Sequence, residues 1–194
     1  MEKESKIGLF FGTFNPIHMG HMIVANVMLE STDINRVWFV VSPQNPFKKK
    51  SNLLHEFERM EMVRAAVYEN YRMDVSDIEM KLPKPSYTID TLIYLSEKFP
   101  DKNFVLIIGE DNLHSFHKWK NSDKILENFN LYVYPRPSSL PSAMLENGKV
   151  TLIDAPKVDI SATFIRNFVK EGKSIQYLVP HPVADMIADK KFYQ

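Results

Sequence analysis

Cysteine is absent from the 194 residues. That excludes disulfide frameworks, thiolate nucleophiles and cysteine-built zinc sites, and it is compatible with a reducing compartment. No stretch of 18 uninterrupted apolar residues occurs, so no membrane-spanning helix is expected. The polar opening Met1-Glu2-Lys3-Glu4-Ser5-Lys6 leads into a short apolar run without the h-region of a secretory signal. A surplus of either charge is also missing, since 24 Lys plus Arg balance 24 Asp plus Glu. Such a chain has no global pull toward nucleic acid or anionic membranes, so phosphate binding must come from a local arrangement of groups. Internal repeats and long linkers are lacking as well. The expectation is an unprocessed, soluble, cytoplasmic protein that binds neither nucleic acid nor membrane.

What is present is a globular balance of 44% hydrophobic and 25% charged residues, enough to bury a substantial core. Short Val/Ile/Leu/Phe runs recur at Ile7 to Phe11, Arg36 to Val41, Phe104 to Ile108, Leu131 to Tyr134 and Val150 to Ile153, with a weaker one at Met73 to Ile78. Continuous rather than alternating runs suit parallel strands covered on both faces. Helical patterns lie between them at Met19 to Glu30, Phe57 to Glu69, Thr88 to Phe99 and Ser161 to Glu171, and Pro180-His181-Pro182 opens a last one. The alternation predicts an α/β fold. It is a Rossmann-like, doubly wound parallel sheet in one domain over residues 1–194, with a small C-terminal helical part. Loops at Pro43 to Lys50, Pro83 to Pro85 and Pro135 to Pro141 can then reach one site at the carboxyl edge of the sheet.

The most informative stretch is Gly12-Thr13-Phe14-Asn15-Pro16-Ile17-His18-Met19-Gly20-His21, which leaves the first strand and enters a helix. Gly12 permits a tight turn or close backbone approach. Thr13 and Asn15 offer polar groups, Pro16 stiffens the loop, and Gly20 leaves the helix start unobstructed. His18 and His21, three residues apart, share one helical face where free N–H groups and the helix dipole favour an anion. Two imidazole donors there suit a polyphosphate undergoing substitution at phosphorus. A single histidine in such a turn is more often an ordinary core or surface residue. A metal-binding pair is a third reading, but the nearest local carboxylate, Glu30, is too far along the helix for a compact site.

A second anion site is legible in Ile160-Ser161-Ala162-Thr163-Phe164-Ile165-Arg166. Ser161 reads as an N-cap, Thr163 lies in the first turn, and Arg166 adds a forked cation one turn on. A capped helix with a surface arginine is the plainer alternative.

Together the two segments resemble the G-T/S-F-D/N-P-x-H-x-G-H and I-S-S-T-x-I-R signatures of the nucleotidyl-transferring α/β superfamily. Ala162 replaces the second serine, and Asn15 stands where Asp is more frequent. Neither the superfamily nor this chain carries a P-loop motif. Intermediate segments resemble the nicotinate-nucleotide adenylyltransferases within it. These are Pro43 to Lys48, with Phe47 in place of a histidine, then Ser86-Tyr87-Thr88-Ile89-Asp90-Thr91-Leu92, then Gly109 to Trp119, and Tyr134-Pro135-Arg136-Pro137. The resemblance implies adenylyl transfer from ATP to nicotinate mononucleotide, giving deamido-NAD and pyrophosphate, with Mg²⁺ arriving on ATP and no metal cage built by the protein. It implies His18, His21, Lys48 and Arg166 as the catalytic groups. Gly12, Thr13, Phe14, Arg136, Ser161 and Thr163 join His18, His21 and Arg166 around ATP. Asn15, Tyr87, Thr88, Asp111 and Trp119 border the mononucleotide, Trp119 by stacking on the pyridine ring. A nicotinamide nucleotide or another phosphate acceptor is the alternative substrate, and a non-catalytic nucleotide-binding regulator the alternative class. Assembly into a homo-oligomer is compatible with the sequence.

Overall fold

The structure is a computed structural model that describes residues 5–43, 53–137 and 142–194. Its strands are β1 (Ser5–Gly12), β2 (Arg36–Val41), β3 (Met73–Ser76), β4 (Lys102–Gly109), β5 (Asn130–Tyr134) and β6 (Val150–Leu152). They pair in parallel in the order β3-β2-β1-β4-β5-β6. The continuous apolar runs have the expected cause, because successive side chains enter opposite cores. Ile7 and Leu9 of β1 pack on one face, while Phe10 packs on the other. In β4, Phe104, Leu106 and Ile108 share the face of Ile7, and Ile107 that of Phe10.

The helices are α1 (Met19–Ser31), α2 (Glu56–Val67), α3 (Ile78–Lys81), α4 (Thr88–Lys98), α5 (Glu110–Ser115), α6 (Ser122–Asn128), α7 (Ala162–Lys170) and α8 (His181–Asp189). Buried residues of α1, α2, α7 and α8 cover the Phe10 face. Those of α3, α4, α5 and α6 cover the Ile7 face. The weak strand stops at Ser76, short of the expected Ile78, because Ile78 is buried as the first residue of α3. The helices α3, α5 and α6, of four, six and seven residues, are too short to print a periodicity.

Connections leave β1 and β4 toward opposite faces, α1 following the first strand and α5 the second. The carboxyl ends of these two neighbours, at Gly12 and Gly109, therefore flank the switch point where open α/β sheets bind ligands. Gly8 allows the close packing beneath it. A Cβ there would stand 2.6 Å from Ile107 Cδ1 and 2.9 Å from Ile34 Cδ1. Both atoms are side-chain ends that can swing aside for a methyl group but not for a branched one. Gly8→Val should cost about 1–3 kcal/mol in urea unfolding, and Gly8→Ala clearly less. Equal stabilities for the two variants would show that the site is not tightly packed.

Candidate active site

A cavity of about 680 Å³ opens at the carboxyl edge of the sheet. Its walls include Gly12, Thr13, Phe14, Asn15, His18 and His21 from the first loop, Tyr87 and Thr88 at the start of α4, and Asp111, Trp119 and Arg136 after β4 and β5. Ser161, Thr163 and Arg166 close it from the start of α7. Segments as far apart in the chain as Gly12 and Arg166 thus meet in one concave surface. Lys48 and Phe47 lie outside the described residues.

His18 is the N-cap of α1, and its ring stacks on His21 with centroids 3.7 Å apart. Phe10 and Phe14 meet the His21 ring edge-on at 5.8 and 5.0 Å. Phe14 adopts φ +46° and is buried, so it acts as a wedge behind His21 more than as a contact to a ligand. Gly12 makes room for that wedge, since a Cβ there would sit 2.8 Å from the Phe14 ring. Such apolar packing disfavours the imidazolium. Burial, with the Arg136 charge second, holds His18 at about 4. Burial, then His18, then Arg136 hold His21 well below the usual histidine range. Both rings are neutral at pH 7. His21 Nδ1 accepts from the His18 backbone N–H at 3.3 Å, which leaves the ring proton on Nε2 as a donor. His18 Nδ1 is buried and no hydrogen-bond partner reaches it among the described residues. The α1 terminus offers less than the sequence suggests, because Met19 N–H donates to the Leu178 carbonyl at 2.9 Å.

Formal charge comes from the arginines. Arg136 donates to Tyr134 Oη at 2.9 Å and to the Val158 carbonyl at 3.3 Å, and its Nε lies 3.6 Å from Asp111 Oδ1. A Cβ at Gly109 would push aside Asp111 Oδ1, the end of an exposed side chain, and stand 3.1 Å from the Tyr134 ring, so glycine lets Asp111 approach Arg136 as it does. Arg166 donates to the Asn15 carbonyl at 2.8 Å and to Thr163 Oγ1 at 3.0 Å. Ser161 Oγ accepts from Phe164 N–H at 3.2 Å as a true N-cap. Ser161, Thr163 and Arg166 therefore hold the helix start and the first loop together while they line the cavity.

Sequence reasoning missed Arg59, Glu79 and Lys120. Arg59 is fully buried in α2, where its guanidinium donates to the carbonyls of Thr13, Ser42 (2.8 Å), Pro43 (2.8 Å) and Leu54 (2.9 Å). Glu79 of α3 is buried against the cavity and accepts from Ser86 Oγ at 3.1 Å and Thr91 Oγ1 at 3.0 Å. Burial raises its pKa and the hydroxyls oppose the rise. Lys120 lines the cavity beside Trp119, with Nζ 4.6 Å from the centroid of the Tyr87 ring and 2.9 Å from Asp90. A charged residue amid the apolar spacing of Met60 and Val63 was the available signal for Arg59. Glu79 and Lys120 carried none, since each reads alone as a surface charge.

The buried His18 ring makes stability depend on pH. Below 6.5 the unfolded chain binds a proton on this ring, whereas the folded chain does so only near 4. Stability from this residue is complete above 6.5 and is lost as the pH falls toward 4. A gap of that size is worth roughly 3 kcal/mol. Melting temperature should fall from pH 7 to pH 4.5, and His18→Asn should flatten that fall. An identical pH slope in the variant would remove His18 as its source.

Residues 9–168 match the cytidylyltransferase-like family. The chain is 58% identical over 188 residues to a protein of Cytophaga hutchinsonii named as a probable nicotinate-nucleotide adenylyltransferase, covering 97% of this chain and 98% of the other. It is 52% identical over 191 residues to a protein of the same name from Flavobacterium johnsoniae, covering 97% and 99%. Among solved structures, the Plasmodium falciparum nicotinic acid mononucleotide adenylyltransferase complexed with NaAD superposes with a TM-score of 0.82 at 20% identity, over 97% of each chain. The structural likeness establishes the fold, and the sequence identities carry the assignment further: the chain belongs to the cytidylyltransferase-like enzymes and, among them, to the nicotinate-nucleotide adenylyltransferase family.

Proposed function

We propose that this chain transfers the adenylyl group of ATP to the phosphate of nicotinate mononucleotide, giving deamido-NAD and pyrophosphate. The observation that carries the reading is a cavity lined by two unlike sets of side chains. One set is His18, His21, Arg136 and Arg166. The other is Trp119, Tyr87 and Lys120, aromatic rings beside a cation. The first suits a polyphosphate and the second a pyridine ring bearing a carboxylate.

In the reaction, an oxygen of the mononucleotide phosphate forms a bond to the α-phosphorus of ATP. The bond from that phosphorus to the bridging oxygen breaks, and its electron pair leaves with pyrophosphate. The nucleophile is ionised at neutral pH, so neither a general base nor a covalent enzyme intermediate is needed. The task is to bring two anions into line, which rests on positioning and on donors fixed where charge develops. His18 and His21 donate as neutral imidazoles to the α-phosphoryl region. Arg136 and Arg166, with Lys48, supply the countercharge. Thr13 and Ser161 border the ATP phosphates. Asn15, Thr88 and Asp111 border the mononucleotide, Asp111 facing the ribose hydroxyls.

Mg²⁺ belongs to this reading as part of the ATP substrate, where it neutralises phosphate charge. Among the described residues no three His, Asp or Glu side chains converge to hold a metal. In that role the ion's ligands are phosphate oxygens and water. No helix among the described residues is long and apolar enough to cross a membrane, and we assign the reaction to the cytoplasm.

Pyrophosphate release with ATP and Mg²⁺, compared for nicotinate and nicotinamide mononucleotides, tests the reading directly. A preference for the acid is expected, and release with neither would overturn it. His21→Asn should lower kcat about 100-fold with a much smaller change in KM for ATP. A loss confined to KM would mean that the ring serves ground-state binding alone. Lys120→Gln should narrow the preference for acid over amide about fivefold, as fits a half-exposed charge. An unchanged ratio would remove Lys120 from substrate selection.

A further inference from the structure

Chain segments near a C-terminus commonly fray unless something ties them down. Here residues 190–194 are tied at several points. Lys190 N–H donates to the Met186 carbonyl at 3.1 Å and Phe192 N–H to that of Ile187 at 3.0 Å. Lys191 and Tyr193 both hold positive φ, at 53° and 65°, a conformation that costs a non-glycine residue energy. The two left-handed residues fold the segment back, so that Phe192 and Tyr193 pack against the core on the α1 and α2 side.

The phenol at the end of this turn reaches the first loop. Tyr193 Oη donates to Asn15 Oδ1 at 2.9 Å, across 178 positions of sequence. The same oxygen accepts from Leu54 N–H at 3.3 Å, and the Asn15 carbonyl accepts from Arg166 at 2.8 Å. Asn15 itself is buried and lines the cavity between the Phe14 wedge and His18. Burial holds the phenol protonated far above neutral pH, although Arg166 and Arg59 oppose this, so it remains a donor.

Resting on the functional reading above, we infer that Tyr193 is a positioning residue for adenylyl transfer, its phenol fixing Asn15 and through it the loop that presents His18 and His21. Among the described residues no strand pairs with residues 13–18, so the loop's orientation depends on groups brought from elsewhere. Arg59 holds Thr13, Arg166 the Asn15 backbone, and Tyr193 the Asn15 side chain. Small misplacements of reacting groups cost large factors in rate. Removing one of these fasteners should therefore be felt in turnover before it is felt in stability.

The test is pyrophosphate release by Tyr193→Phe with ATP, Mg²⁺ and nicotinate mononucleotide, alongside thermal melting. Phenylalanine keeps the ring packing and deletes only the donor. The expected result is a kcat about tenfold lower, as one lost hydrogen bond implies. The KM for ATP should stay within about twofold and the melting temperature within about 2 °C. Asn15→Ala should lower kcat as well, and adding Tyr193→Phe to it should cause little further loss. A wild-type kcat in Tyr193→Phe would overturn the inference. So would losses that multiply in the double variant, or a rate loss that merely tracks a fall in melting temperature. Absence of pyrophosphate release by the unmodified chain would instead sink the functional reading.

Discussion

Two parallel strands that end side by side leave a problem in backbone hydrogen bonding. Beyond Gly12 and Val41 the ladder between β1 and β2 stops, yet residues 13–18 and 42–43, which follow, are buried or half-buried beside the site. Their carbonyls can no longer be met by a neighbouring strand, and a buried carbonyl without a donor is costly. Arg59 resolves this with one side chain, donating to Thr13 and Leu54 as well as to Ser42 and Pro43. A lysine offers a single point of donation and could not span the same carbonyls. Burial lowers the arginine's pKa, but a guanidinium starts so high that it stays charged. The ring pair and the phosphate-facing loop depend on this fastening, because every later contact assumes that residues 13–18 have one conformation.

That loop then sets an electrostatic division of labour. The sequence invites the view that two histidines neutralise phosphate charge. The structure makes them neutral, by pressing Phe10 and Phe14 against His21 and stacking the rings on each other. What the pair can offer is directed hydrogen-bond donation from a dry wall, which strengthens as charge develops on a bound oxygen. Formal charge is assigned to Arg136 and Arg166, and each is anchored by a different part of the chain. Keeping the imidazoles uncharged also avoids adding two cations to a cavity that already holds Arg136, Arg166 and Lys120 before any substrate arrives.

Much of this was legible in the residues. Apolar runs without alternation announced a parallel sheet buried on both faces, and the described strand order is the doubly wound one. The two segments rich in His, Ser, Thr and Arg were visible because the groups sit a helical turn apart within each segment. What stayed hidden was whatever sequence spacing does not encode. Glu79, Arg59 and Tyr193 meet partners 5 to 178 positions away, and of the three only Arg59 carries a local mark, a charge amid apolar spacing. The short helices were missed for a related reason, since α3, α5 and α6 are placed by packing rather than by a repeat. Phe14 lines the cavity as the sequence suggests, and its second role, filling the space behind the His21 ring, is one that sequence spacing does not print.

The mononucleotide end shows why such hidden residues matter. Ser86, Tyr87 and Thr88 read as a helix entry, and Tyr87 is indeed the N-cap of α4. Yet Tyr87 makes no side-chain cap, and the hydroxyls of Ser86 and Thr91 turn to Glu79 instead. A carboxylate buried beside a cavity meant for another carboxylate would repel it unless its own charge were already engaged. Three facts make the arrangement workable. Glu79 spends its lone pairs on hydroxyl donors, burial raises its pKa, and Lys120 sits over Tyr87 with Asp90 steering it. The local field at the pyridine end is therefore set by a hydroxyl-quenched acid and a tethered cation. On the proposed reading an acidic ring substituent meets a balanced field there, and the lysine's charge favours it over a neutral amide, which can only accept an ordinary charge-assisted hydrogen bond. On that same reading, selection between substrates that differ by one functional group rests on residues whose side chains individually look like surface charge.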